Sequence, residues 1–152
     1  VSIWPAAHTV RGMHNADCPA AALNVEFSVQ SARFSQDPLA LEFRPIIGIR
    51  DQGWEAIVNP IVDVGFGGPG SNAFAPAARL ARNVAGDTWV GVEYYSNYSP
   101  IGRIPPSDEQ QHTLFAVADF KLLGLDINLG MGFGLTGGAD ALVSKIIIGR
   151  AF

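Results

Sequence analysis

The stretch that decides the fold is Asp126-Ile127-Asn128-Leu129-Gly130-Met131-Gly132-Phe133-Gly134-Leu135-Thr136. Ile127, Leu129, Met131, Phe133 and Leu135 fall on one parity; Asp126, Asn128, Thr136 and three glycines fall on the other. Period-two alternation puts successive side chains on opposite faces of a strand, one apolar and one polar. At about 3.3 Å per residue, these residues reach roughly 36 Å. Tilted by about 45°, such a strand spans the hydrocarbon core of a bilayer. Gly137-Gly138-Ala139-Asp140 then turns the chain into a second strand that runs to Phe152.

The composition suits that reading. Of 152 residues, 16% are charged and 48% apolar, against about 25% charged in an ordinary soluble domain. The length fits one domain. A net charge of −4 supplies no basic footprint, so nucleic acid is not an expected partner. Cys18 is the single cysteine, which excludes an internal disulfide and leaves the compartment undetermined. No run of about 18 apolar residues occurs, so a membrane-spanning helix is not expected. Val1 to Ala22 lacks the basic start and apolar run of a secretory leader. The expectation is a leader already removed, or a longer parent chain.

Taken in order, residues 1–23 read as an irregular segment and 24–152 as one β domain. Asn24 to Phe34 is a weak strand whose alternation slips at Ser31-Ala32, as at a bulge. Leu41 to Arg50 alternates better, although Pro45 fits a central strand poorly. Asp51-Gln52-Gly53 turns into Trp54 to Phe66, and a glycine-rich loop follows at Gly67 to Ala73. Phe74 to Val84 reads as a strand, with a helix over Pro76 to Val84 as the rival. Trp89 to Tyr98 and His112 to Leu122 are strands, separated by the longest loop, Ser99 to Gln111. The sum is up to eight strands. Connections near 51–53, 85–88 and 123–125 are short, while those near 67–73 and 99–111 are long. Short turns on one side and long loops on the other are the pattern of outer-membrane barrels.

Alternation alone permits two arrangements. In a bilayer, where no water satisfies exposed backbone groups, a sheet must close on itself, with apolar side chains toward lipid and polar ones toward the lumen. In a water-soluble ligand-binding barrel the apolar face turns inward. Low charge, strand length and loop asymmetry favour the first. Trp54, Trp89, Tyr94, Tyr98, Phe74 and Phe152 lie near predicted strand ends, where interfacial aromatic girdles sit. The expected fold is therefore all-β: an antiparallel up-and-down transmembrane β-barrel of about eight strands, or the carboxyl-terminal strands of a larger one.

Asn128 to Phe133, Gly91-Val92-Glu93-Tyr94-Tyr95, Gln111-His112-Thr113-Leu114-Phe115 and the ending Val143 to Phe152 together resemble a group of proteobacterial outer-membrane β-barrel proteins. The likeness covers roughly Leu41 to Phe152. A final strand closing on an aromatic residue, here Phe152, resembles the carboxyl-terminal signature of such barrels. Arg150 departs from it, sharing the face of Phe152 where an aromatic or apolar residue is usual; near an interface it snorkels. The resemblance implies location in the bacterial outer membrane and contact with the lipid bilayer. It also implies recognition by barrel-assembly machinery through the last strand, and porin- or transporter-like passage of small molecules.

Other motifs carry less. Gly132-Phe-Gly134-Leu-Thr-Gly137 matches a dinucleotide fingerprint as text, but that motif follows a strand and opens a helix, whereas Gly134 lies inside the alternation. Small residues on the concave side of a curved strand account for it more simply. His8, His14, Asp17 and Cys18 match no standard zinc spacing, so neither metal nor cofactor is expected. His112 lies near Ser107, Asp108 and Glu109 without the fixed geometry that serine catalysis needs, and no enzyme activity is expected.

The informative polar set is the predicted lumen face: Glu42, Arg44, Arg50, Glu55, Asn59, Asp63, Arg79, Glu93, Asn97, Asp119, Lys121, Asp126, Asn128 and Lys145. In an eight-stranded barrel these groups would fill the interior. Function would then rest on the external loops at Gly67–Ala73 and Ser99–Gln111, in a structural or adhesive role. In a larger barrel they would line a wet channel.

Overall fold

The computed structural model describes residues 19–29, 39–66 and 72–150. The fold is all-β and antiparallel. The strands among the described residues are β1 (Pro19–Val29), β2 (Leu39–Asp51), β3 (Trp54–Asn59), β4 (Val62–Gly65), β5 (Ala73–Phe74), β6 (Ala77–Ala85), β7 (Thr88–Asn97), β8 (Gln111–Leu122), β9 (Leu125–Gly134) and β10 (Leu142–Gly149), with a 3-10 turn at Ile101–Arg103. Each strand pairs with its sequence neighbours. β3 and β4 both pair with β2 and form one interrupted strand; β5 and β6, which pair with β4 and β3, form the next. The ten segments thus make an eight-strand meander, up and down. No helix among the described residues is long and apolar enough to cross a membrane.

The interruptions have a common cause. Pro60 ends β3 and Pro76 precedes β6, and proline has no N–H for the ladder. Pro45 lies inside β2, opposite Leu23 of β1. On its other side the pairing with β4 stops at Phe43 and that with β3 resumes at Ile47. Pro45 is tolerated because its side toward β3 and β4 coincides with the break at Pro60.

Three short turns share one end. Gln52 and Gly53 have φ of 45° and 79°, and Leu123 and Gly124 have φ of 53° and 75°. Two successive positive φ values are the type I′ geometry that matches strand twist in two-residue hairpins. The third turn is Gly86-Asp87, beside a register shift between Asn83 and Ala85. The long β7–β8 connection lies at the opposite end.

Several expectations change. β1 begins at Pro19, so Pro19 to Leu23, read as irregular, belongs to the sheet. Ala20-Ala21-Ala22 is extended because β2 supplies a partner at every residue. The Ser31-Ala32 slip lies outside the described residues, as do His8, His14, Asp17, Cys18 and Phe152. The strand read over Phe74 to Val84 is kept, as β5 and β6, and the rival helix is not: Ala77 to Ala85 is paired on both edges. Partner strands override alanine's helical preference.

Candidate functional site: the charged concave face

The two faces of the sheet have opposite character. Leu23, Val25 and Phe27 on β1, Ile47 and Ile49 on β2, Val90 and Val92 on β7, Met131 and Phe133 on β9, and Ile146 and Ile148 on β10 are all exposed. Alternating with them, Arg44, Glu55, Asn59 and Glu93 are buried, with Ile46, Ile57, Ile61, Phe115 and Val117. The covered face is the charged one.

It is covered because the sheet curls around it. Lys145 on β10 donates to the Glu93 carboxylate on β7, three strands away. On a flat sheet those backbones would stand about 14 Å apart. Val143 of β10 and Glu42 of β2 line the same cavity of ≈ 220 Å³. Six strand spacings separate β2 from β10, or about 29 Å if flat. A single small cavity touches both only on a strongly concave surface.

Arg79 stands at the centre. Its Nε donates to Glu55 Oε1 at 2.9 Å, its Nη1 to Glu93 Oε1 at 2.6 Å, and its Nη2 to Asp119. Arg50 donates to the second oxygen of Glu55. Tyr95 donates its hydroxyl to Glu93 Oε2 at 2.5 Å, and Asn128 Nδ2 donates to Asp119 Oδ1 at 2.6 Å. Three cations, Arg50, Arg79 and Lys145, thus meet three carboxylates, Glu55, Glu93 and Asp119. Arginine's planar fork suits it to hold several carboxylates at once. Glycines make room: a Cβ on Gly130 would meet Lys145 Cε at 2.7 Å, and one on Gly132 would meet the Phe115 ring at 2.6 Å. Gly132, against the Phe115 ring, and Gly134, where a Cβ would meet the Asp140 carbonyl, are therefore packing positions of a curved strand.

Toward the long-loop end the balance shifts. Glu26, Glu42 and Asp63 are directly opposite one another on β1, β2 and β4. Arg44, 3% exposed, pairs with Glu42 at 2.6 Å. The cavity beside them is also lined by Tyr95, Asn97, Gln111 and Thr113. Among the described residues, no group of three or more His, Cys, Asp and Glu is arranged to hold a metal ion.

Of the residues expected on the lumen face, Arg50, Glu55, Arg79, Glu93, Asp119, Asn128 and Lys145 form the network, and Glu42, Arg44, Asp63 and Asn97 surround the cavity region or line it. Asn59 is buried, and its Oδ1 has no hydrogen-bond partner among the described residues. Asp126 pairs with Lys121 in register. Lys121 sits at the turn end, 45% exposed, 3.1 Å from Asp87. Trp89 differs from its expected place in an outer girdle. It shares the parity of Glu93, and Arg50 Cζ stacks over its ring at 4.6 Å.

The outward aromatics gather at two ends. Trp54, exposed beside the Gln52-Gly53 turn, carries Arg82 over its ring at 4.9 Å. At the other end Phe74 stacks on Tyr98, and His112 lies against both Tyr98 and Tyr94. His112 Nε2 contacts Gln110 Oε1 at 2.9 Å, an acceptor, so Nε2 carries the proton. Nδ1 then accepts from the Tyr94 hydroxyl at 2.5 Å. Both ring nitrogens are occupied, and no serine hydroxyl is among their partners.

Comparison with protein-family models, with curated proteins and with solved structures returned no match.

Proposed function

We propose that this chain is an outer-membrane β-barrel with a filled interior, which acts through its long-loop end rather than as an open pore. The observation that carries the reading is the inverted polarity of the sheet: large apolar side chains exposed on the convex face, buried charges on the concave one. A soluble sheet arranged this way would set a broad apolar surface in water, far beyond the few hundred Å² usual for a monomer. Against lipid the same surface is favourable, and each charge stays away from the hydrocarbon. Strands of 12 and 10 residues in β8 and β9 reach the roughly 9–11 residues a tilted membrane-spanning strand needs. Trp54 at one end and Tyr94 and Tyr98 at the other stand where interfacial anchors belong.

The filled interior is supported by the Arg79 network. It joins β3, β6, β7 and β8 across the concave space, with Lys145 tying in β10. An eight-stranded barrel is about wide enough for its side chains to fill. Solute passage would require balanced ion pairs to part. The cavity lined by Glu42, Asp63, Asn97 and Gln111 sits on the loop side of that plug, placing any polar ligand at the loop end.

Refolding tests the proposal. Diluted from urea into detergent micelles, the protein should become β-rich by circular dichroism and give a heat-modifiable band on unheated gels. In planar bilayers it should show no steady conductance. A monodisperse β-rich protein in plain buffer would overturn the membrane reading, and steady channels would overturn the filled interior.

A further inference from the structure

Among the described residues, β1 and β10 each pair on one side only, β1 with β2 and β10 with β9. We infer that these two edges are each other's partner, in the antiparallel register that sets Lys145 opposite Glu26. This rests on the barrel reading and adds the identity and register of the closing pair.

The stagger of the strands points to this register. One row of directly opposed residues runs across the sheet: Pro19, Ile49, Ala56, Leu80, Val92, Ala116, Met131, Ser144. Measured against the short turns, the row climbs steadily. Ala56 is two residues from Trp54, Val92 four from Thr88, and Met131 six from Leu125. The climb is one residue per strand, about 3.3 Å for each 4.8 Å sideways, or a tilt near 35°. That is within the usual range for barrels, and eight strands with a stagger of eight residues is an established closed geometry at about 36°. Continued once around eight strands, the row returns to β1 eight residues beyond Pro19. Ser144 then meets Phe27, Lys145 meets Glu26, and Ile146 meets Val25.

Two further features agree without using the stagger. In this register Ala22–Val29 faces Leu142–Gly149 residue for residue, the full described length of β10. It also sets an ammonium stem beside the row Glu26, Glu42, Asp63. Directly opposed like charges are unfavourable and opposed unlike charges favourable. A slip of two residues either way puts Asn24 or Ser28 opposite Lys145, and a slip of one puts the lysine on the outward face.

Disulfide trapping tests the register. In a Cys18→Ser background, Val25→Cys with Ile146→Cys and Leu23→Cys with Ile148→Cys are the matched pairs, all outward and exposed. Phe27→Cys or Leu23→Cys with Ile146→Cys are the slipped ones. After refolding and copper-catalysed oxidation, the matched pairs should give a cross-linked monomer at several-fold higher yield than the slipped pairs. Higher yield in a slipped pair, predominance of disulfide-linked dimers, or no cross-link in any pair would overturn the inference. Oxidation is run in micelles and in buffer. A matched link formed only in buffer would refute the membrane reading while upholding closure.

Discussion

Lys145 on β10 and Glu93 on β7 are joined by an ion pair that spans three strand spacings of the concave face. The Lys145 ammonium also lies 5.2 Å from the centre of the Phe115 ring on β8, the strand between β7 and β9. The pair is a chord across the curve of the sheet. It explains why β9 carries Gly130 and Gly132 on that face, where the Lys145 stem and the Phe115 ring occupy the space of side chains.

Arg79 is the member of the network with most to lose. Arg79→Ala leaves Glu55, Glu93 and Asp119 without their shared cation, and breaking a buried pair from one side costs about 3–5 kcal/mol. Urea titration in micelles should show that loss. Arg79→Lys should recover only part of it, because an ammonium cannot span three carboxylates as the guanidinium does. Lys121→Ala, which removes a pair 45% and 59% exposed, should change stability by about 0–1 kcal/mol.

Gly91 should resist enlargement. A Cβ there would lie 2.7 Å from Ala81 Cα and against the Leu80 carbonyl, backbone that cannot step aside. Gly91→Ala should destabilise by about 1–3 kcal/mol. Gly102→Ala, with no atom of the described residues within 4 Å of the added Cβ, should stay within about 0.5 kcal/mol. Thermal or urea midpoints of the two variants compare them directly.

Leu123 is a poor residue for its turn. At φ 53° and 92% exposed, it holds a left-handed conformation that costs a branched side chain about 1–2 kcal/mol. Asn-Gly is preferred in type I′ turns. Leu123→Asn should raise stability by about 1 kcal/mol, read as a higher urea midpoint with an unchanged slope.

Tyr94 and Gln110 occupy the two ring nitrogens of His112. Tyr94→Phe removes the donor to Nδ1 and should cost about 0.5–1.5 kcal/mol. Nitrogen chemical shifts of the His112 ring should keep the Nε2–H pattern in the variant, because Gln110 Oε1 still accepts from Nε2, while the Nδ1 resonance moves as its donor is lost.

How much of this was legible follows from the residues. Alternation at 126–136 and 41–50 set both the strands and their faces, because apolar and polar residues there contrast strongly. Pro19 to Ala22 and Ala77 to Ala81 offered no such contrast: alanine marks neither face, and only the partner strands decide its conformation. The membership of the charged face was readable by parity, which also assigned Trp89 to it, although bulk near a strand end suggested a girdle. The pairing within that face was not readable. Arg79 meets Asp119 two strands away, and Lys145 meets Glu93 three strands away, because curvature brings them together and no sequence spacing encodes it.

The central claim is that the convex face lies against lipid. Spin labels at Val92→Cys, Ala116→Cys and Met131→Cys, in a Cys18→Ser background refolded into liposomes, test it most directly. These three positions stand side by side on the outward row. The account predicts high collision rates with oxygen, which concentrates in lipid, and low rates with a water-soluble nickel complex. High nickel and low oxygen accessibility at all three would contradict it.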